Sequence, residues 1–208
     1  MNNIEIEVKF YLDDIKPIQN YLMDLGAVHK GRFFESNIRF EDKNNTLLKS
    51  QSLLRLRKDA KTILTYKSKP PFENSEFKIH QELEVEVNDF EKMKSILEKL
   101  GFHQEQIYEK WRETFIIHKT IVCIDQMPFG DFLEIEGEMK DIKDLAGAMA
   151  LGWEKRILLN YMQLFDIIKK DLNISFNDIT FNNFKDISVD VLKYQKLFEA
   201  GKNLIPSK

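Results

Sequence analysis

Charged and apolar residues alternate along several short stretches of the chain. The first is Glu5–Phe10, EIEVKF, in which every second residue carries a charge. Successive side chains of a β-strand point to opposite faces, so this pattern predicts a strand with one charged and one apolar face. Seven further stretches of strand length follow, at residues 32–40, 53–59, 62–69, 77–87, 107–118, 121–126 and 131–137.

A different spacing of apolar residues separates these strands. Apolar residues at helical intervals predict amphipathic helices over residues 14–25, 89–100, 141–151 and 157–168. The order strand, helix, strands occurs twice, about 77 residues apart when Glu5 is set against Glu82, which is compatible with a duplicated half. We expect one main domain over residues 1–170. Residues 171–208 are expected to be an irregular extension with one short helix rather than a separate domain.

The charged strand faces are segregated by sign. The acidic faces carry Glu5 and Glu7, then Glu82, Glu84 and Glu86, then Glu134 and Glu136, whereas the basic faces carry Arg55 and Arg57, then Lys110 and Arg112. One interpretation is an ordinary sheet with one solvated face. Such faces also use Thr, Ser and Gln freely, however, and like charges this close repel unless a counter-ion lies between them. The pattern therefore favours an enclosed charged face.

Paired acids and paired bases indicate complementary ligands. Carboxylate oxygens suit Mg²⁺ or Mn²⁺, while Arg and Lys side chains suit an anion with several oxygens, such as a phosphate. Together they indicate a metal-bound polyphosphate. If the sheet closes with its charged face inside, the apolar faces point outward and need a coat of helices, which gives a barrel with a wet interior.

The segment Glu5-x-Glu7-x-Lys9 resembles the E-x-E-x-K signature that opens the CYTH family, the triphosphate tunnel metalloenzymes. The later strand motifs RLR, TYK, ELE, KWR, CID and EIE fit the family in order, over roughly residues 1–165. The resemblance implies an α+β fold with an eight-stranded antiparallel β-barrel, a charged interior and a coat of amphipathic helices. It also implies that the barrel holds a triphosphate and one or two divalent cations.

The resemblance assigns roles to residues at matching positions. The implied metal ligands are Glu5, Glu7, Glu84, Asp125, Glu134 and Glu136. The implied triphosphate contacts are Lys9, Arg55, Arg57, Lys67, Lys110 and Arg112. Lys9, Arg57 and Asp125 are the implied catalytic residues. Glu82 and Glu86 share the charged face, and their roles stay open between holding basic residues and binding a second ion.

The implied activity is that of a Mg²⁺- or Mn²⁺-dependent enzyme acting on a triphosphate. The segments FESNIRF and MPFGDFLEIEG look more like the class IV adenylyl cyclase branch, which converts ATP to cyclic AMP and pyrophosphate. The alternative is a phosphohydrolase that releases orthophosphate from tripolyphosphate or thiamine triphosphate. A non-catalytic polyphosphate- or nucleotide-binding module is a third possibility, but it would not need the acid pairs, which are intact.

Composition narrows the classes of partner. The net charge of the 208-residue chain is -3, so it has no global basic field that would indicate nucleic acid binding. Cys123 is the only cysteine, which precludes an intramolecular disulfide, and no apolar stretch is long enough to span a bilayer. We expect a cytoplasmic monomer or homodimer whose partner is a small-molecule triphosphate, with neither nucleic acid nor membrane involved.

Overall fold

An eight-stranded antiparallel β-barrel forms the centre of the molecule. The computed structural model describes residues 4–70, 72 and 74–200. The strands are β1 Ile4–Leu12, β2 Val28–Asp42, β3 Leu53–Lys58, β4 Thr62–Ser68, β5 Lys78–Glu86, β6 Phe102–Ile117, β7 Thr120–Met127 and β8 Gly130–Glu136. They close in the order β1-β5-β4-β3-β2-β6-β7-β8, which confirms the predicted fold class.

Seven helices accompany the barrel in the described part of the chain. They are α1 Lys16–Asp24, α2 Thr46–Lys49, α3 Phe90–Lys99, α4 Met139–Ala148, α5 Tyr161–Leu172, α6 Phe181–Phe184 and α7 Gln195–Phe198. The Asp89 side chain caps α3 by accepting the Lys92 N–H at 3.0 Å, and Asn160 and Gln163 form a capping box at the start of α5. None of these helices is both long and apolar enough to cross a membrane.

The topology repeats the order that the sequence indicated. Strand, helix and three strands run from β1 to β4 around α1, and again from β5 to β8 around α3. The pairings repeat as well, because β1 pairs with β5, β2 pairs with β6, and the two seams β4–β5 and β8–β1 correspond. The two halves therefore contribute equivalent strands to one shared interior.

Two apolar clusters lie between the barrel wall and its helices, where the sequence predicted the core. The first joins α1 and α4 to the outer faces of β1, β7 and β8, with Leu22, Val122, Ile135 and Ile142 fully buried. The second packs Leu97 of α3 against Ile38, Phe40 and Leu56 on β2 and β3. These helices hold the outer face of the barrel and leave its inner face to the charged residues.

The C-terminal part of the chain, residues 157–200, forms what we call the C-terminal plug. Its apolar side chains pack on Tyr11, Tyr108 and Phe132, whose positions alternate in step with the charged inner residues of their strands. The plug therefore closes one end of the barrel from within. Backbone bonds attach it, since the Ile179 N–H donates to the Ile107 carbonyl at 2.8 Å and the Ile157 N–H donates to the Lys9 carbonyl at 2.7 Å.

The plug changes two sequence-based expectations. Helix α5 was expected to coat the barrel from outside, but its first turn covers the interior instead. The tail, expected to be largely irregular, contains α6, α7 and a 3₁₀ turn at Val191–Tyr194, and buries Phe184, Val191 and Phe198. Alternation along the strands could not show this, because the end of the barrel interior is apolar rather than charged.

Candidate active site

Side chains from all eight strands line a cavity of about 700 Å³ inside the barrel. Its basic lining residues are Lys9, Arg39, Arg55, Arg57, Lys67, Lys78, Lys110 and Arg112, and its acidic lining residues are Glu5, Glu7, Glu82, Glu84, Glu134 and Glu136. Every sequence-predicted site residue except Asp125 is among them. The alternation pattern therefore identified the inner face correctly on both halves of the barrel.

Lys9 is the most enclosed cation of the cavity, with 1% of its surface exposed. Its Nζ lies 2.7 Å from a carboxylate oxygen of Glu134 and 4.5 Å from the centre of the Tyr161 ring, and Glu7 lies at 4.0 Å. Burial alone would lower the pKa of Lys9, but Glu134 and Glu7 outweigh it and raise the pKa above its usual value. Lys9 is thus a fixed positive charge in the cavity wall.

Asp125 lies behind this wall rather than in it. The side chain is completely buried, and one carboxylate oxygen accepts hydrogen bonds from Lys110 Nζ and the Tyr161 hydroxyl, both at 2.8 Å. Arg112 Nε donates to the other oxygen at 2.6 Å. The sequence predicted Asp125 as a metal ligand and catalytic residue, whereas this geometry favours holding two cations in position, because both of its oxygens are already engaged.

A second buried carboxylate supports the same cations. Glu35 lies 3.5 Å from Lys110 Nζ and 4.0 Å from Arg112 Nε. Burial acts to raise the pKa of Glu35, but Lys110 and Arg112 outweigh it and hold the pKa at about 2. Lys110 and Arg112 therefore present their charge to the cavity from a base of two buried carboxylates.

The other basic strand is held mainly by hydroxyl groups. Arg55 donates from Nη1 to the Tyr108 hydroxyl at 3.2 Å and from Nη2 to Thr65 Oγ1 at 3.1 Å. Glu84 also lies near Arg55, at 3.4 Å, and the Arg57 Nε lies 3.2 Å from Asp59. Glu84, a predicted metal ligand, is thus part of this basic cluster in the structure.

The acidic side of the cavity is built around the register of β1 with its two neighbours. Glu7 lies directly opposite Glu136 on β8, and Glu5 forms a salt bridge with Lys67. Burial, with the nearby charges of Glu5 and Glu7, raises the pKa of Glu136 to about 7. No ion pair compensates Glu136 among the described residues.

Two lysines pair with glutamates on the acidic side of the cavity. Lys67 bridges Glu5 and Glu82, lying 3.3 Å from Glu82, and Lys78 pairs with Glu7. Burial alone would raise the pKa of Glu7, but the positive charges of Lys78 and Lys9 outweigh burial and lower the pKa to about 2. These pairs explain how so many acids tolerate one interior.

Carboxylate oxygens are suitable ligands for a hard divalent cation, but here they do not form a complete coordination site. In the described residues no group of three acidic, histidine or cysteine side chains is already arranged around one metal position. The uncompensated charge at Glu136, beside Glu5 and Glu7, is the feature that a divalent cation would relieve. Ligation would require Glu5 and Glu7 to turn from their lysine partners.

Sequence reasoning missed several residues of the site. Lys78 shares the alternation of Glu82 and Glu84 on β5. Arg39 and Glu35 share one alternation on β2. The same signal could therefore have found Lys78, Arg39 and Glu35. Tyr161 gave no such signal, because it lies on a helix after the last strand. His80, which shares the alternation of Glu82, also lines the cavity.

The protein is a closed antiparallel β-barrel whose internal cavity combines clustered cations with an acidic wall. A family model described as CYTH domain matches residues 3–161, and the chain belongs to the CYTH family. A protein of Methanocaldococcus jannaschii named "Putative adenylate cyclase" is 28% identical over 186 residues, which cover 88% of this chain and 98% of that protein.

Solved structures share the fold. A protein of Pyrococcus horikoshii is 29% identical with a TM-score of 0.64, covering 76% of this chain and 98% of that one. A Hippeastrum protein, described as a "Putative adenylyl cyclase" that reveals a dominant triphosphatase activity, is 20% identical with a TM-score of 0.55. That match covers 80% of this chain and 96% of the Hippeastrum chain, and at this identity it shows the fold alone.

Proposed function

We propose that the protein is a divalent-metal-dependent enzyme that binds a triphosphate inside the barrel, with ATP cyclisation to cyclic AMP and pyrophosphate as the leading specific activity. The observation that carries this proposal is the ring of eight basic side chains around one enclosed cavity, next to an acidic wall. A triphosphate supplies many anionic oxygens, and a divalent cation supplies the charge that the acids need.

The basic residues are prepared for phosphate before it arrives. Lys110 and Arg112 are oriented by Asp125, Lys9 by Glu134, and Arg55 by Tyr108. Donors fixed in this way need little rearrangement when charge moves along the phosphate chain, and such preorganisation is a major source of catalysis in phosphoryl transfer. In this scheme Lys9 and Arg57 are the catalytic cations, and Asp125 acts through Lys110 and Arg112.

The acidic wall would hold the metal. Glu5, Glu7 and Glu136 are the nearest set, with Glu134 adjacent on β8 and Glu84 on β5, the other strand that pairs with β1. When bound, Mg²⁺ or Mn²⁺ supplies Lewis-acid polarisation of phosphate oxygens and lowers the pKa of the attacking oxygen. Release of Lys67 and Lys78 from their glutamates would return two further cations to the phosphate side.

The identity of the attacking oxygen separates cyclase from hydrolase. Attack by the ribose 3′-hydroxyl at the α-phosphate gives cyclic AMP, whereas attack by water at the terminal phosphate gives orthophosphate. The name of the Methanocaldococcus jannaschii relative, which matches nearly the full chain, favours the cyclase. Hydrolysis of tripolyphosphate or thiamine triphosphate is the second candidate, since the same cations would grip those substrates.

Product analysis tests the proposal. Purified protein is incubated separately with ATP, inorganic tripolyphosphate and thiamine triphosphate, each with Mg²⁺ or Mn²⁺, and the products are identified by chromatography. Cyclic AMP supports the cyclase, whereas orthophosphate without cyclic AMP selects the hydrolase. Glu5→Ala and Glu136→Ala should abolish turnover. Glu86→Ala is the matched control, because Glu86 lies on β5 outside the cavity lining and pairs with exposed Lys61. Turnover that survives loss of Glu5 or Glu136 would refute the site.

A further inference from the structure

The C-terminal plug makes direct contact with the residues that line the cavity. The family match ends at residue 161, so most of the plug lies beyond it. Two independent sets of hydrogen bonds nevertheless run from the plug to cavity cations. The plug therefore has contacts that a simple stopper for the barrel would not need.

The first set is centred on Tyr161, at the start of α5. Its hydroxyl donates to Asp125 at 2.8 Å, and Asp125 in turn accepts hydrogen bonds from Lys110 and Arg112. Its ring lies under two ammonium groups, 4.5 Å from Lys9 Nζ and 5.4 Å from Lys110 Nζ. The ring is buried and is held edge-on by Phe132. One tyrosine thus contacts two cavity cations and the carboxylate that orients a third.

The second set reaches the cavity from the tail. The Asn177 carbonyl accepts a hydrogen bond from Gln106 Nε2 at 2.7 Å, and the Oε1 of that glutamine accepts one from Arg39 Nη1 at 2.9 Å. Asn177 Oδ1 also accepts from Lys169 of α5. Gln106 is therefore fixed in the orientation that holds Arg39 toward the cavity.

We propose that Tyr161 is a positioning residue of the triphosphate site, and that the plug sets the placement of Lys9, Lys110 and Arg112. This inference rests on the proposed function for its ligand. The hydroxyl shares the negative charge of Asp125, which keeps that carboxylate from drawing Lys110 and Arg112 deeper into the wall. The ring stabilises Lys9 and Lys110 through its π-face, where both are shielded from water.

Single substitutions separate these two contributions. Tyr161→Phe removes the hydroxyl and keeps the ring, so we expect tripolyphosphate to bind at least about tenfold more weakly, as loss of one hydrogen bond to a charged group implies. Tyr161→Leu removes the ring as well, and its effect should be several-fold larger. Because the cations grip substrate before and during reaction, KM should rise while kcat stays within about twofold in Tyr161→Phe.

Tyr194→Phe is the matched control. Tyr194 lies in the same plug and is also buried, and its hydroxyl donates to the carboxylate of Asp171 at 2.7 Å. The substitution removes this one hydrogen bond. Asp171 faces away from the cavity, and neither residue lines it. Tyr194→Phe should bind tripolyphosphate as the wild type does. Any general loosening of the plug would affect both variants.

The test is calorimetric titration of the full-length protein and its variants with inorganic tripolyphosphate, without metal, followed by steady-state kinetics with metal. Weaker binding in Tyr161→Phe, with Tyr194→Phe unchanged, supports the inference. Unchanged binding in Tyr161→Phe, or equal weakening in both variants, overturns it. Wild-type binding without turnover would refute the proposed enzyme but leave the binding comparison decisive. Failure of the wild type to bind tripolyphosphate, both without metal and with Mn²⁺, would overturn both proposals.

Discussion

Replacing Glu136 by Gln should stabilise the metal-free protein while it removes metal-dependent activity. Burial and the charges of Glu5 and Glu7 raise the pKa of Glu136 to about 7, from an ordinary value of 4.5. At about 1.4 kcal/mol per pKa unit, keeping this carboxylate ionised in the folded state costs about 3 kcal/mol. Glutamine has nearly the same shape and cannot ionise, so it avoids that cost.

The upward direction of the Glu136 pKa shift fixes the pH range in which the Glu136→Gln variant is more stable than the wild type. A carboxyl whose pKa is raised on folding binds its proton more tightly in the folded state, so the free energy of unfolding falls as pH rises from about 4.5 to about 7. At pH 4, where Glu136 is protonated in both states, the variant and the wild type should melt together. At pH 8 the variant should be more stable by up to about 3 kcal/mol, or roughly 6–12 °C in Tm for a chain of this size.

Thermal melts in EDTA at the two pH values measure the effect, and Glu134→Gln provides the contrast. Glu134 is ionised and paired with Lys9 and Arg112, so its neutralisation should destabilise the protein at pH 8 by roughly 3 kcal/mol, the opposite sign. If Glu136→Gln melts at or below the wild-type temperature at pH 8, or if its advantage persists at pH 4, the account of crowded carboxylates is wrong.

Three further predictions address the other parts of the site. Mn²⁺ should raise the Tm of the wild type more at pH 8 than at pH 5.5, because protonated Glu136 and Glu82, both with pKa about 7, compete with the metal at the lower pH; differential scanning fluorimetry would show a shift independent of pH if they do not contribute. Lys9→Met should weaken tripolyphosphate binding at least about 100-fold, since it removes a buried charge of the cavity wall; a calorimetric loss of less than tenfold in affinity would show that Lys9 does not contact the phosphates. Asp125→Asn should weaken tripolyphosphate binding but leave Mn²⁺ affinity without phosphate unchanged, and a loss of Mn²⁺ affinity measured by paramagnetic titration would restore Asp125 as a metal ligand.

The inner face of the barrel could be predicted from sequence because strand alternation has a strict period of two. Once the charged face is taken as the interior, alternation within each strand selects Glu5 and Glu7 on one strand, and Arg55 and Lys110 on two others, without knowledge of the pairing. The barrel places them around one cavity, as its register requires. Periodicity also located α1 and α3 from their apolar spacing.

The ion pairs and the plug could not be predicted in the same way. Partners such as Lys67 and Glu5 are brought together by the closed order of strands, which alternation does not specify. Asp125 shares the parity of the cavity residues, yet it is buried because Tyr161 and the rest of the plug cover that end of the barrel. A residue's parity gives its side of the sheet, but its depth depends on what fills the interior.

The pairs inside the barrel imply that metal and triphosphate binding assist each other. Without ligands, Lys67 and Lys78 neutralise Glu5 and Glu7, which allows the acids and bases to share a buried cavity. A triphosphate that attracts the lysines leaves those carboxylates uncompensated, and a divalent cation that occupies the carboxylates frees the lysines for phosphate. Each ligand therefore lowers the cost of breaking the pairs for the other. Triphosphate alone should therefore bind measurably but more weakly than it does together with the metal, because it leaves part of the carboxylate charge uncompensated.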